Sequence, residues 1–152
     1  MSKKSLILVI IQFVCFAFFA LAGNLFVANN YWLLFQILGI VIGVWGVLTM
    51  KMGNFNIQPE VKHHAKMVTS GPYKIIRNPM YTGLLLFFGI SVFLNFNLDS
   101  LVYSIIRIVV FIILFVIFVL KINMEEKFLA IKFGTVYAAY KQKTYKIVPY
   151  LF

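Results

Sequence analysis

Four long apolar stretches separated by polar turns dominate this chain, and most are close to the length a helix needs to cross a bilayer. The first runs from about Ser5 to Val27, the second from Tyr31 to Met50, the third from Met80 to Phe96 and the fourth from Ser100 to Leu120. A soluble fold cannot hide so much contiguous apolar surface. Of the 152 residues 62% are hydrophobic and 12% charged, where a soluble domain is about 25% charged. Lipid offers no partners for backbone polar groups, so the spans must be helices, which bond their own backbone. The expected fold is all-α: a polytopic membrane protein of about four transmembrane helices, forming one domain over residues 1–152. The third stretch is short, so its helix is expected to be little tilted, to thin the bilayer locally or to begin inside the protein. Gly43 and Gly46 in the second span permit close helix approach.

Lys3 and Lys4 before the first span resemble the start of a signal peptide, but no small-residue cleavage site closes the run, so it reads as a retained span. Cys15, the single cysteine, reads as packing. The net charge of +10 is not spread along a soluble face, as a nucleic-acid binder would need. It clusters beside the spans: Lys3 and Lys4; then Lys51, Lys62, Lys66, Lys74 and Arg77; then Lys121, Lys127, Lys132, Lys141, Lys143 and Lys146. The two turns on the other side carry none. The positive-inside rule places both termini and the central polar segment in the cytoplasm, with anionic lipid headgroups as neighbours. The setting expected is an inner or plasma membrane. Arg107, two turns into the fourth span, is expected to snorkel to the outer interface, the alternative being a buried functional charge.

Beyond Leu120 a polar helical segment continues to Phe133, Gly134 reads as a helix stop, and a short amphipathic helix over 135–143 puts Tyr137 and Tyr140 on one face. The apolar tail from Ile147 is expected to fold back on the membrane surface. The adjacent His63 and His64 have no companions at metal-ligand spacing, so no metal site is expected. Asp99 falls on the opposite side from both, which disfavours a Ser-His-Asp hydrolase.

Two polar segments therefore face one compartment where spans meet water. The first runs from Gly71 to Gly83. Its Gly71-Pro72 turn and Pro79 helix start surround Arg77, whose fork suits a carboxylate, and Tyr73 and Tyr81, which offer rings and hydroxyls. The second runs from Asn123 to Tyr140 and holds Glu125 and Glu126, two of the four acids in the chain. Adjacent helix positions point about 100° apart, so one carboxylate is expected to face a ligand while the other meets basic partners such as Lys121 or Lys132.

Together these segments resemble the isoprenylcysteine carboxyl methyltransferase and phospholipid methyltransferase superfamily, in its small prokaryotic form. The resemblance is carried by Val68-Thr69-Ser70-Gly71-Pro72-Tyr73 with Arg77-Asn78-Pro79-Met80-Tyr81-Thr82-Gly83, and by Glu125-Glu126, Leu129, Phe133-Gly134, Tyr137, Tyr140, Ile147 and Pro149. It covers roughly residues 39 to 152. Asn78 stands where the family often has histidine; it can hydrogen-bond but not titrate. The resemblance implies methyl transfer from S-adenosylmethionine to a lipophilic acceptor, either isoprenylcysteine-like or phospholipid-like. It implies Arg77 and Glu126 as catalytic residues, and Tyr73, Arg77, Asn78, Pro79, Tyr81, Glu125, Glu126, Tyr137 and Tyr140 as the cofactor site. The alternatives are an NADPH-dependent membrane sterol-type reductase and a non-enzymatic transporter or structural subunit.

Overall fold

A computed structural model describes residues 3–23, 25–27, 30–54 and 66–149. Four helices follow in order: α1 (Lys3–Leu21), α2 (Asn30–Asn54), α3 (Pro79–Leu94) and α4 (Leu101–Gln142), with a 3-10 turn (Gly71–Lys74) before α3. Among the described residues the only β pairing is an isolated parallel bridge between Ile76 and Tyr145. The chain is thus all-helical, as the apolar stretches require. Three helices are long and apolar enough to cross a membrane and α3 is a shorter apolar one. His63, His64, Lys62 and Pro59 lie outside the described residues.

The short third helix occupies the middle of the bundle. It packs against α2 on one side and α4 on the other, and α1 packs along α4. A ring cluster fills the centre: Phe16 and Phe19 of α1 stack on Phe88 at 5.5 and 4.8 Å, and Phe118 of α4 meets Tyr81 at 4.8 Å. Outward, α1, α2 and α4 present Ile, Val, Leu and Phe side chains, the surface that acyl chains solvate. With 16 residues, α3 is about 24 Å long. It begins inside the protein, one of the three expected ways for a short span to fit: Pro79 is buried, and the Thr82 hydroxyl donates to the Ile147 carbonyl at 2.8 Å.

The α2–α3 contact depends on glycine. A side chain at Gly83 would stand 2.3 Å from the Gly39 carbonyl and 2.7 Å from the Gly43 backbone nitrogen, and one at Gly46 would stand 3.0 Å from Pro79. Without side chains the two backbones approach closely enough for dispersion to hold them, which in lipid is a main source of helix association. The glycine stripe expected from the sequence is therefore a packing seam.

Three expectations need correction. The first helix ends at Leu21, not near Val27. Gly23 takes φ +68°, and the following turn is bound to fully buried Gln36 of α2. That side chain accepts from the Val27 N–H at 3.0 Å and donates to the carbonyls of Leu25 and Phe87 at 3.0 and 3.2 Å. Next, Arg107 does not snorkel. It is 1% exposed and donates to the Ser91 hydroxyl at 2.9 Å and to the carbonyls of Ser91 and Gly23 at 3.3 Å. These carbonyls lie at the C-terminal ends of α3 and α1, where the helix dipoles are negative, so one cation serves two helix ends. Finally, Ile147 of the tail is buried in the core cluster and does not lie on the membrane surface.

Gly83→Ala should destabilise the protein by about 1–3 kcal/mol, because the new methyl meets fixed backbone. Gly89→Ala, whose methyl meets only the Phe111 ring at 3.2 Å, should be milder. Thermal unfolding of both variants in one detergent tests the order.

Candidate functional site at the polar end of the bundle

Gly134 sets the geometry of the C-terminal segment. Its φ of 52° and ψ of −124° break α4, as a helix stop should, and the helix resumes in a new direction to Gln142. No atom would meet a side chain there, so the constraint is backbone conformation alone. The arm after the break swings Tyr137, Tyr140 and Lys141 over the segment that leads into α3.

Arg77 joins the two polar segments. Its Nε donates to Glu126 Oε1 at 3.0 Å. Its Nη1 donates to the Lys141 carbonyl at 3.0 Å, to the Thr144 hydroxyl at 3.3 Å and to the Thr144 carbonyl. The guanidinium thus neutralises a carboxylate and caps the C-terminal end of the arm in one arrangement. Lys141 Nζ closes the cluster at 2.9 Å from Glu126 Oε2. Backbone bonds fix the same register: the Arg77 N–H donates to the Tyr145 carbonyl at 2.8 Å and the Tyr145 N–H to the Ile75 carbonyl at 2.9 Å. Asn78 Nδ2 donates to the Lys146 carbonyl at 2.9 Å, and the Tyr140 hydroxyl to the Tyr73 carbonyl at 2.8 Å.

The two glutamates have different surroundings. Glu126 is buried between Arg77 and Lys141. Burial alone would push its pKa up, but the bonds from Lys141 and Arg77, with their charges, outweigh this and hold it below the usual carboxylate value. Glu125 accepts from the Tyr81 hydroxyl at 2.7 Å, and among the described residues no basic side chain is within ion-pair distance of it. It is set deep between elements yet keeps part of its surface open. Burial raises its pKa to about 7, against the lowering effects of the Tyr81 bond and the Lys121 charge, with Glu126 adding to the rise. Of the expected division between adjacent carboxylates, the structure shows the basic-partner half: Glu126 pairs with Arg77 and Lys141 rather than with the anticipated Lys121 or Lys132.

Every proposed site residue falls at this end of the bundle. Tyr73, Tyr81 and Tyr137 are buried, and the Tyr137 and Tyr140 rings lie 6.1 Å apart. Pro79 and Asn78 shape the start of α3 and hold the tail. Sequence reasoning missed Thr144, whose role rests on tertiary backbone contacts, and Gln12. The latter had a signal: it is one of only two amides within the first apolar run, the other being Asn24 near its end. It is buried and accepts from Lys121 Nζ at 2.5 Å, while that ammonium lies 5.5 Å from the centre of the Tyr81 ring.

Removing the Glu126 charge should loosen the arm. At pH 7 Glu126→Gln should cost about 2 kcal/mol of stability, since it leaves Arg77 and Lys141 without their anion. The lowered pKa means this stabilisation is full above the unfolded carboxylate value and fades as pH falls through the folded one. Wild-type and variant thermal stabilities should therefore converge in acid, and a difference that persists there would contradict the assignment.

A family model described as phospholipid methyltransferase matches residues 18–136, which include Arg77 to Tyr81 and both glutamates. No curated protein matches the chain.

Proposed function

The chain belongs to the phospholipid methyltransferase family, and from that premise we propose that it moves the methyl group of S-adenosylmethionine to a lipophilic acceptor at the cytoplasmic membrane face. The family carries the coarser statement, a membrane methyltransferase acting on a lipid-type acceptor. It also favours methyl transfer over the nicotinamide-dependent and transport alternatives. The observation that best supports the finer reading is the convergence of Arg77, Tyr81, Glu125 and Glu126 where the spans meet the polar segments.

The residues fit such a donor chemically. It carries an ammonium, a carboxylate and a sulfonium. Glu125, partly open and without an ion-pair partner among the described residues, suits a cationic group. Arg77, with its charge shared between Glu126 and carbonyls, and Lys141 beside it supply positive potential for a carboxylate. Tyr73, Tyr81, Tyr137 and Tyr140 offer ring faces to a cation and to a flat heterocycle. When bound, the sulfonium supplies an activated methyl group. The chain's part is to orient, to exclude water and to hold charge, and orientation alone can be worth several kcal/mol. In our reading Glu126 and Arg77 act by fixing the arm that closes the site, and Glu125 by holding the donor's cationic end.

The acceptor is either a phospholipid-like headgroup or an isoprenylcysteine-like carboxylate. An apolar groove of about 410 Å³ runs between α2 and α3 from Gly39 and Phe87 to Met80, the residue before Tyr81. We read it as the path along which a hydrocarbon chain brings its head to the site. Topology follows the charges: exposed Lys3 and Lys4 at the start of α1 and exposed Lys127, Lys132 and Lys143 beyond the fourth span assign this end to the cytoplasm.

Purified protein incubated with methyl-labelled S-adenosylmethionine and a total lipid extract should yield a labelled lipid, whose identity names the acceptor. No labelled lipid together with no binding at millimolar donor would reject the proposal. Donor affinity should rise with pH through about 7, as Glu125 becomes a carboxylate. Glu125→Gln should flatten that profile and weaken binding at pH 8 by about tenfold or more, the worth of one charge-assisted contact.

A further inference from the structure

Lys121 is 1% exposed, and among the described residues no carboxylate lies within ion-pair distance of it. A buried ammonium is costly unless its surroundings compensate. Here they do so from three helices. Gln12 of α1 accepts its hydrogen bond, the Tyr81 ring of α3 presents its π face at 5.5 Å, and Glu125 stands one turn further along α4, bonded to the Tyr81 hydroxyl. Lys121 and Glu125 thus meet opposite parts of one tyrosine, the ring face and the hydroxyl. Gln12 lies outside residues 18–136, so this arrangement draws on a part of α1 that the family match does not cover.

We propose that Lys121, seated by Gln12 against the Tyr81 ring, is a positioning residue whose positive field keeps Glu125 an anion able to hold the methyl donor's cationic end. The inference rests on the donor site proposed above. The other groups facing Glu125 cannot replace that field. Glu126 is a like charge and opposes ionisation. Tyr73, Tyr81 and Tyr137 are neutral, and Gln12 is an amide. Arg77 and Lys141 are engaged by Glu126. Burial already pushes the Glu125 carboxyl up to about 7, and the Lys121 charge is among the effects that hold it down. Its removal moves the transition upward, toward a neutral acid at physiological pH.

The test reads the Glu125 transition directly. The protonated-carboxyl infrared band of the full-length protein in nanodiscs, identified by its loss in Glu125→Gln, is titrated against pH, alongside binding of labelled S-adenosylmethionine. Lys121→Met should raise the infrared midpoint by about one pH unit and weaken donor binding near neutral pH about tenfold, with recovery at higher pH. Lys121→Arg should keep the wild-type midpoint. Gln12→Leu should shift it upward by less, and it decides the matter if Lys121→Met does not fold. An unchanged midpoint in Lys121→Met, or in Gln12→Leu where only that protein folds, overturns the proposal whatever happens to affinity. Absent donor binding in wild type would instead sink the donor site, while the infrared titration still reports whether Lys121 sets the charge of Glu125.

Discussion

The guanidinium of Arg77 is the point through which the polar end of this molecule is held together. Helix α3 is short, and the chain beyond the fourth span has no bilayer to confine it. What brings them together is one planar cation that finds Glu126 on one edge and the carbonyls of Lys141 and Thr144 on another. A lysine could supply the charge but not the fork. The parallel bridge at Ile76 and Tyr145, the Asn78 bond to the tail and the Tyr140 bond to Tyr73 all lie within a few residues of this clamp. They are the consequence of docking the arm, and each adds to its precision.

How much of this could be read from sequence depended on the range of the interaction. The spans follow from apolar run length, a local property, so the four helices were legible, as was the break at Gly134, where a lone glycine ends a polar helical run. The meeting of the Arg77 segment with the paired glutamates was legible through motif resemblance and through compartment, since both segments carry the charges that stay on one side. Long-range satisfaction of polar groups was not. Nothing in residues 22–27 announces that Gln36 waits across the bundle to bind their backbone, so the first helix was expected to run longer than it does. Arg77 also reaches Thr144 and Lys141 through their main-chain carbonyls, which have no sequence signature at all.

The two arginines of the chain show why position matters more than residue type. Both sit at helix C-termini and both spend donors on carbonyls. Among the described residues Arg107 has no carboxylate at ion-pair distance and its Nε has no hydrogen-bond partner; it joins the ends of α1 and α3. Two half-dipoles offset its charge. That arrangement suits a fixed brace at the end of the bundle opposite Arg77. Arg77 faces a carboxylate that it shares with a half-exposed lysine, in a cluster open to water on one side, where charge can rearrange when a ligand arrives.

The adjacency of Glu125 and Glu126 carries the same logic to a single helical turn. Two carboxylates side by side repel, and in a low-dielectric setting both cannot ionise cheaply without help. The fold assigns the help unequally. One receives two cations and becomes a permanent anion that binds the arm. The other receives a tyrosine hydroxyl and the more distant field of a lysine, and is left near its transition at neutral pH. For the methyl transfer we propose, in which the donor arrives with a sulfonium charge and leaves without it, an anion of this marginal kind is an advantage. Strong pairing would have locked it to a protein cation, and no pairing would have left it protonated. The intermediate state is set by which side chains the helices bring near it.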